Sequence, residues 1–167
     1  MVEWKSITVE GFLLANDLFF MDLAYKQACK AFALNEVPIG AVLVDKAGIV
    51  LASGYNQVEK KHTQLAHAEI SVLGKAVKKN MNWRLSGTTI YVTVQPCLMC
   101  LGALYLSRVS RVVYGIPSTK FGIPLDQGVE LGIYKNLDTT IECMNYEKSK
   151  EILQLFFQKK RSMKRDQ

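Results

Sequence analysis

Hydrophobic positions in this chain change period several times, and the changes mark its elements. Asn16-Asp17 are helix-capping types, and the spacing of Phe20, Leu23, Ala24, Ala28, Ala31 and Phe32 at three and four predicts a helix from there to about Leu34, one face turned inward. Residues 37–44, Val-Pro-Ile-Gly-Ala-Val-Leu-Val, are a β-branched run. Asp45-Lys46-Ala47-Gly48 reads as a turn and 49–55 as a second strand, which together make a hairpin. Residues 56–64 are polar and loop-like. Helical spacing returns from Leu65 to Lys79, with Ile70, Leu73 and Val77 on one stripe.

Residues 88–94 are the most strand-like segment of the chain, and Pro96 ends it. Residues 97–107 have helical composition, with Leu98, Leu101, Leu104 and Tyr105 available for packing, and 109–115 form a further strand. Residues 116–137 carry too many glycines and prolines for one long element. A short strand over 139–144 and a helix over 147–161 close the pattern, the helix ending in Lys159-Lys160-Arg161 with Lys164 and Arg165 beyond. Strands separated by helices predict an α/β fold: a mixed central sheet of about five strands, helices on both faces. No internal repeat and no second domain are evident. Residues 1–15 show no clean period and read as an N-terminal extension to one domain over 16–167.

Composition narrows the class. A chain of 167 residues, 49% hydrophobic and 22% charged, can bury a core without disulfides and lies far from disordered compositions. Its formal charge of +6 makes an acidic partner such as nucleic acid plausible. No run approaches the roughly 18 apolar residues of a membrane span. No leader pattern opens the chain either, since Glu3, Glu10, Asp17 and Asp22 interrupt its apolar start, so a cytoplasmic protein is expected. Two of the four cysteines lie in one Cys-x-x-Cys, which suits metal or redox chemistry in a reducing compartment better than a disulfide framework. Cys29 and Cys143 read as buried small apolar residues, and His62 as exposed loop.

The candidate chemistry gathers at Gln95-Pro96-Cys97-Leu98-Met99-Cys100, which follows a strand and opens a helix. Backbone N–H groups and the helix dipole there favour thiolates. A zinc ribbon would need a second cysteine pair that the sequence lacks, whereas His67 in His67-Ala68-Glu69 supplies a third ligand. Three ligands leave tetrahedral zinc a fourth position for water, whose pKa falls to about 7. Glu69 stands close enough to pass protons without binding the metal. Hydrolytic deamination of an electron-poor ring carbon fits this set, while a redox dithiol of Cys97 and Cys100 remains the alternative.

His67-Ala68-Glu69 followed by Pro96-Cys97-Leu98-Met99-Cys100 resembles the cytidine/deoxycytidylate deaminase superfamily. Within it, the chain is most similar to the bacterial tRNA adenosine deaminases, from about Asn16 to the C-terminus. Residues 36–42, Asn56, Ala66, 89–93, Gly102-Ala103, Ser107-Arg108, Phe156-Phe157 and Lys159-Lys160-Arg161 extend the likeness. The resemblance implies a three-layer α/β/α cytidine-deaminase-like fold and a homodimer with one zinc per subunit. It makes His67, Cys97 and Cys100 the zinc ligands and Glu69 the proton shuttle as adenine C6 is attacked and ammonia leaves. Asn56 would then hydrogen-bond a flipped base, with Pro38, Ile39 and Ala68 lining the substrate site. The implied substrate is the wobble adenosine, position 34, of a tRNA anticodon stem-loop, touched also by Phe156, Phe157, Lys159, Lys160 and Arg161. From the residues alone, Phe156 and Phe157 read rather as core anchors and the lysines as a solvated helix end.

The chain departs from the family pattern at Gln95, where glutamate is usual, and at Thr63-Gln64, in place of Asp-Pro. Ser118 and residues 123–126 also depart from it. Two alternatives follow: a deaminase of a free base or nucleoside (guanine, cytosine or cytidine), and a catalytically silent zinc-containing RNA-binding module.

Overall fold

The computed structural model of the chain describes residues 9–118 and 139–165. Most of the irregular stretch expected over 116–137 therefore lies outside the described residues, as do residues 1–8. The first helix, α1 (Val9–Ala33), begins well before the expected start at Asn16-Asp17, and neither residue caps it. Asp17 is used by the sheet instead. Its buried carboxylate accepts a hydrogen bond from the Tyr91 hydroxyl at 2.5 Å and two from the Arg111 guanidinium, each at 2.7 Å. Residues 9–15, placed with the extension on sequence grounds, are thus the first turns of α1.

The hairpin forms as expected from β1 (Gly40–Val44) and β2 (Val50–Tyr55). Gly48 supplies the left-handed residue of its turn at φ 79°, and Asp45 Oδ1 accepts the N–H groups of Ala47 and Ile49, both at 2.9 Å. β3 (Thr89–Val94) pairs antiparallel with β1, while β4 (Arg111–Ile116) and β5 (Thr140–Cys143) continue the sheet in parallel. The order is β2-β1-β3-β4-β5, a mixed five-stranded sheet.

Alternation along the strands sorts side chains to two cores. Leu43, Ile90, Val92, Val112 and Tyr114 pack against Val72 and Leu73 of α3 (Ala68–Asn80) and Leu104 of α4 (Leu98–Leu106). On the opposite face, Val42, Val44, Tyr91 and Val113 meet Phe20, Met21 and Ala24 of α1. The closing helix α5 (Glu147–Arg165), longer than expected, lies beside α1 on that face. Central strands therefore read as continuous apolar runs because both faces are covered. Each fully buried aliphatic side chain stabilises the fold by about 1.5–3 kcal/mol.

Two boundaries differ from expectation near the future site. The polar stretch 56–64 contains a short helix, α2 (Val58–Lys61), and α3 starts at Ala68, after a 3-10 turn over Gln64–Ala66, not at Leu65. The reason is tertiary: Glu36 accepts the N–H groups of Glu59 and Lys60 at 3.1 and 2.7 Å, so a side chain remote in sequence nucleates α2.

Strand directions decide what meets what. The C-terminal ends of β2, β3 and β4 and the N-terminal end of β1 fall on one rim, since Gly40 pairs with Tyr55 and its N–H donates to Thr93 Oγ1 at 3.1 Å. That rim carries Pro38, Ile39, Asn56 and the entry to α4.

Candidate metal centre and active site

His67 and Cys97 occupy equivalent places in two different helices. Each is an N-cap with extended backbone, at φ −60° and ψ 152° for His67 and φ −73° and ψ 168° for Cys97. Their carbonyls accept the first helical N–H groups, from Ser71 at 3.0 Å and Leu101 at 2.9 Å. Two helix N-termini thus converge on one spot, which favours negative charge there. Cys100, fully buried in the first turn of α4, completes the group.

His67 Nδ1 lies 3.7 Å from Cys97 Sγ and 3.3 Å from Cys100 Sγ, and the three ligand atoms are all within 4.8 Å of one another. Tetrahedral zinc with ordinary bond lengths would separate sulfur from nitrogen by about 3.6 Å and sulfur from sulfur by about 3.8 Å. The donor set and its spacing therefore fit zinc. Hydrogen bonds from Cys100 and His67 bring the Cys97 thiol down to about 4, while Cys100, donating to that sulfur and buried, is pushed far up. His67 is raised chiefly by its hydrogen bond with Cys97.

Glu69, in the first turn of α3, is 4% exposed and packs beside the same ligands, within hydrogen-bonding reach of Cys100. Burial raises its carboxyl above the usual carboxylate range, against the opposing pull of its backbone N–H and His67. A carboxyl so placed can take up a proton and give it back.

Asn56 joins the rim through backbone bonds: its N–H donates to the Ile39 carbonyl at 2.9 Å, and the Gln57 N–H to the Ala66 carbonyl at 3.0 Å. Ile39, Asn56 and the residues leading into His67 are thereby stitched together. Pro38 and Ala68 are buried at the same rim, Ile39 half-buried. Of the departures from the family pattern, Thr63 Oγ1 accepts the Leu65 N–H at 3.3 Å and Gln95 Oε1 the Ser118 N–H at 3.1 Å, while residues 123–126 lie outside the described residues.

Phe156 of the closing helix is 4% exposed and sits edge-on to Phe32 of α1, ring centroids 6.2 Å apart, so it anchors α5 as the residues alone suggest. Phe157 is 43% exposed, Lys159 and Arg161 are exposed, and Lys160 is half-buried with its ammonium 5.5 Å from the Phe156 ring. Cys29 and Cys143 are half-buried instead of buried, and His62 is exposed. Sequence reasoning assigned no role to Glu36, whose carboxylate also accepts the Asn56 side-chain N–H at 3.4 Å. No periodic signal marks such a residue, because its partners lie in another segment.

This geometry has counterparts among known proteins. The chain matches the MafB19-like deaminase family over residues 15–161. It is 36% identical over 162 residues to a tRNA-specific adenosine deaminase of Streptococcus pyogenes, covering 91% of this chain and 90% of the relative. The chain belongs to the deaminase family that includes these enzymes. Among solved structures, one from work on A-to-I editing by tRNA:A34 deaminases superposes with a TM-score of 0.73 at 35% identity, over 81% of this chain and 99% of that one. A guanine deaminase of Bacillus subtilis aligns at 32% identity and a TM-score of 0.58 over 69% of each chain. The mixed five-stranded sheet with helices on both faces is the architecture this chain shares with them.

Proposed function

We propose that this protein hydrolyses the wobble adenosine, position 34, of a tRNA anticodon loop to inosine, releasing ammonia. The observation that carries the reading is the His67, Cys97 and Cys100 cluster with a buried Glu69 beside it, in a chain that shares 36% identity with a tRNA-specific adenosine deaminase along nearly its whole length. His67, Cys97 and Cys100 would hold one zinc per subunit. Zinc in a three-ligand site acidifies water to a pKa of about 7 and supplies a nucleophile at neutral pH. Glu69 takes up in turn the two protons that water loses, passing one to ring N1 and one to the departing amino nitrogen, so the carboxyl ends the cycle as it began. Asn56 hydrogen-bonds the flipped base, with Pro38, Ile39 and Ala68 forming the walls around it. An anticodon loop is already single-stranded, so extruding one base costs little.

Phe157, Lys159, Lys160 and Arg161 give an exposed aromatic and three cations for the stem-loop, consistent with the formal charge of +6. A homodimer of cytoplasmic subunits, each a single deaminase domain that includes α1 from Val9, completes the reading. Among the described residues no helix is long and apolar enough to cross a membrane.

The test offers purified zinc-loaded protein an anticodon stem-loop carrying adenosine or cytidine at the wobble position, beside free guanine and cytidine. Inosine from the adenosine loop is expected, with binding that weakens steeply as salt rises. Turnover of guanine without inosine formation would overturn the choice of substrate. Glu69→Gln should keep stoichiometric zinc and lose about 10²–10⁴-fold in rate. A variant that turned over unimpaired would remove Glu69 from the chemistry.

A further inference from the structure

Glu36 is 1% exposed, and among the described residues no Lys or Arg side chain pairs with it. Burying a carboxylate without a countercharge is costly unless hydrogen bonds replace its water. Three do so here. Oε1 accepts the Lys60 N–H at 2.7 Å, and Oε2 accepts the Glu59 N–H at 3.1 Å and Asn56 Nδ2 at 3.4 Å. Two of these order α2, and the third reaches the side chain assigned to the base.

A carboxylate only accepts hydrogen bonds, so it distinguishes the two ends of a carboxamide. Facing Glu36, Asn56 must present its NH₂ group, and its amide plane is then fixed together with the edge left toward the rim. Asn56 is itself only 4% exposed, and its backbone is tied to Ile39. Glu36 stands between two elements of the site, since the chain runs from it through Pro38 and Ile39 into β1 while its carboxylate crosses to Asn56 and α2. We propose that Glu36 is a positioning residue for deamination, locking the Asn56 carboxamide in the one orientation that receives the base. It touches no reacting atom and acts through Asn56. This rests on the assignment of Asn56 to the base made above.

Glu36→Gln is the informative variant, because glutamine keeps the volume but offers one acceptor and a new donor to three donors. With the zinc-loaded full chain and the adenosine stem-loop, it should lower kcat/KM by about 10- to 100-fold, chiefly in kcat, as expected when a base is held off its attack geometry. Zinc content should stay at that of the parent. Glu36→Gln added to Asn56→Ala should cost no more than a further twofold, because the carboxylate acts through the side chain already removed. Full activity in Glu36→Gln, or losses that multiply in the double variant, would overturn the proposal.

The side-chain amide signals of Asn56, followed by ¹⁵N NMR, read the same point without turnover. They should be resolved and slow to exchange in the parent, and collapsed or fast in Glu36→Gln. Unchanged Asn56 signals would equally overturn it. Absence of inosine from the parent sinks the choice of substrate and leaves this second reading to decide Glu36. Glu36→Asp, which keeps the charge but withdraws it by one methylene, serves both measurements if Glu36→Gln unfolds, and the same outcomes apply.

Discussion

Replacing Gly40 by alanine should damage this protein more than any other single added methyl group considered in its helices and strands. The first residue of β1 runs against α1 so closely that a Cβ would stand 2.1 Å from the Ala24 carbonyl oxygen, 2.4 Å from the Ala28 nitrogen and 2.8 Å from Gln27 Cβ. Carbon and backbone oxygen in ordinary contact stay well above 3 Å, so α1 must retreat from the sheet by on the order of 1 Å. The atoms in the way are helix backbone, and no rotamer change relieves them. Retreat loosens the core in which Met21 and Ala24, both fully buried, meet Val42 and Val44. Overpacking usually costs about 1–3 kcal/mol, and a backbone-on-backbone clash that opens a helix–sheet interface belongs above that range, at about 3–5 kcal/mol. Urea denaturation followed by circular dichroism measures it. Gly74→Ala provides the control of opposite sign, because Gly74 lies exposed inside α3 with nothing within 4 Å of an added Cβ. That variant should gain about 0.5–1 kcal/mol from helix propensity. A Gly40→Ala protein within 1 kcal/mol of the parent would show that the close approach of α1 to β1 does not constrain residue 40.

Two further predictions concern charge. Asp17→Asn should cost about 2 kcal/mol, less than the roughly 3–5 of a fully buried pair, because Arg111 is 26% exposed and keeps Glu142 at 2.6 Å. Burial raises the Asp17 carboxyl, but hydrogen bonds from Arg111 and Tyr91 outweigh it and hold the group below its usual value. Its stabilisation is therefore complete above the unfolded pKa of about 3.9 and fades as pH falls through the lowered folded value. Urea midpoints of parent and variant should differ most at pH 6 and converge below about pH 4, and a gap independent of pH would count against the assignment. Zinc affinity should rise from pH 6 to pH 8, because Cys100 holds its proton and His67 is raised in the metal-free group, and both must deprotonate to ligate. Competition with a chromophoric chelator measures this, and a flat profile would contradict the proton arrangement.

Much of the fold was legible in the pattern of apolar residues because the elements are long and the sheet is covered on both faces. The five strands and the helices of 16–34, 97–107 and 147–161 follow from periodicity, which reports how each segment meets a core. Boundaries failed where a side chain from elsewhere set them. Asp17 looked like a cap and is instead held by Tyr91 and Arg111, and residues 56–64 looked like loop until Glu36 supplied α2 with acceptors. Phe156 and Phe157 show the same limit, since both read as core anchors from their type, and only packing shows that Phe156 is buried against Phe32 while Phe157 is 43% exposed.

Sequence by itself supplied the candidate chemical groups of this protein. Ligand identity is covalent, and a histidine, two cysteines and a glutamate at those spacings supply the donors for a metal site and a neighbouring carboxyl before any coordinates are known. Tertiary structure alone decided how the centre is framed. Strand direction brings Gly40, Tyr55 and Val94 to one rim, two helix N-termini converge on His67 and Cys97, and Glu36 reaches Asn56 across 20 residues of chain. Contacts of that kind depend on direction and register, which a local pattern of apolar and polar residues does not encode.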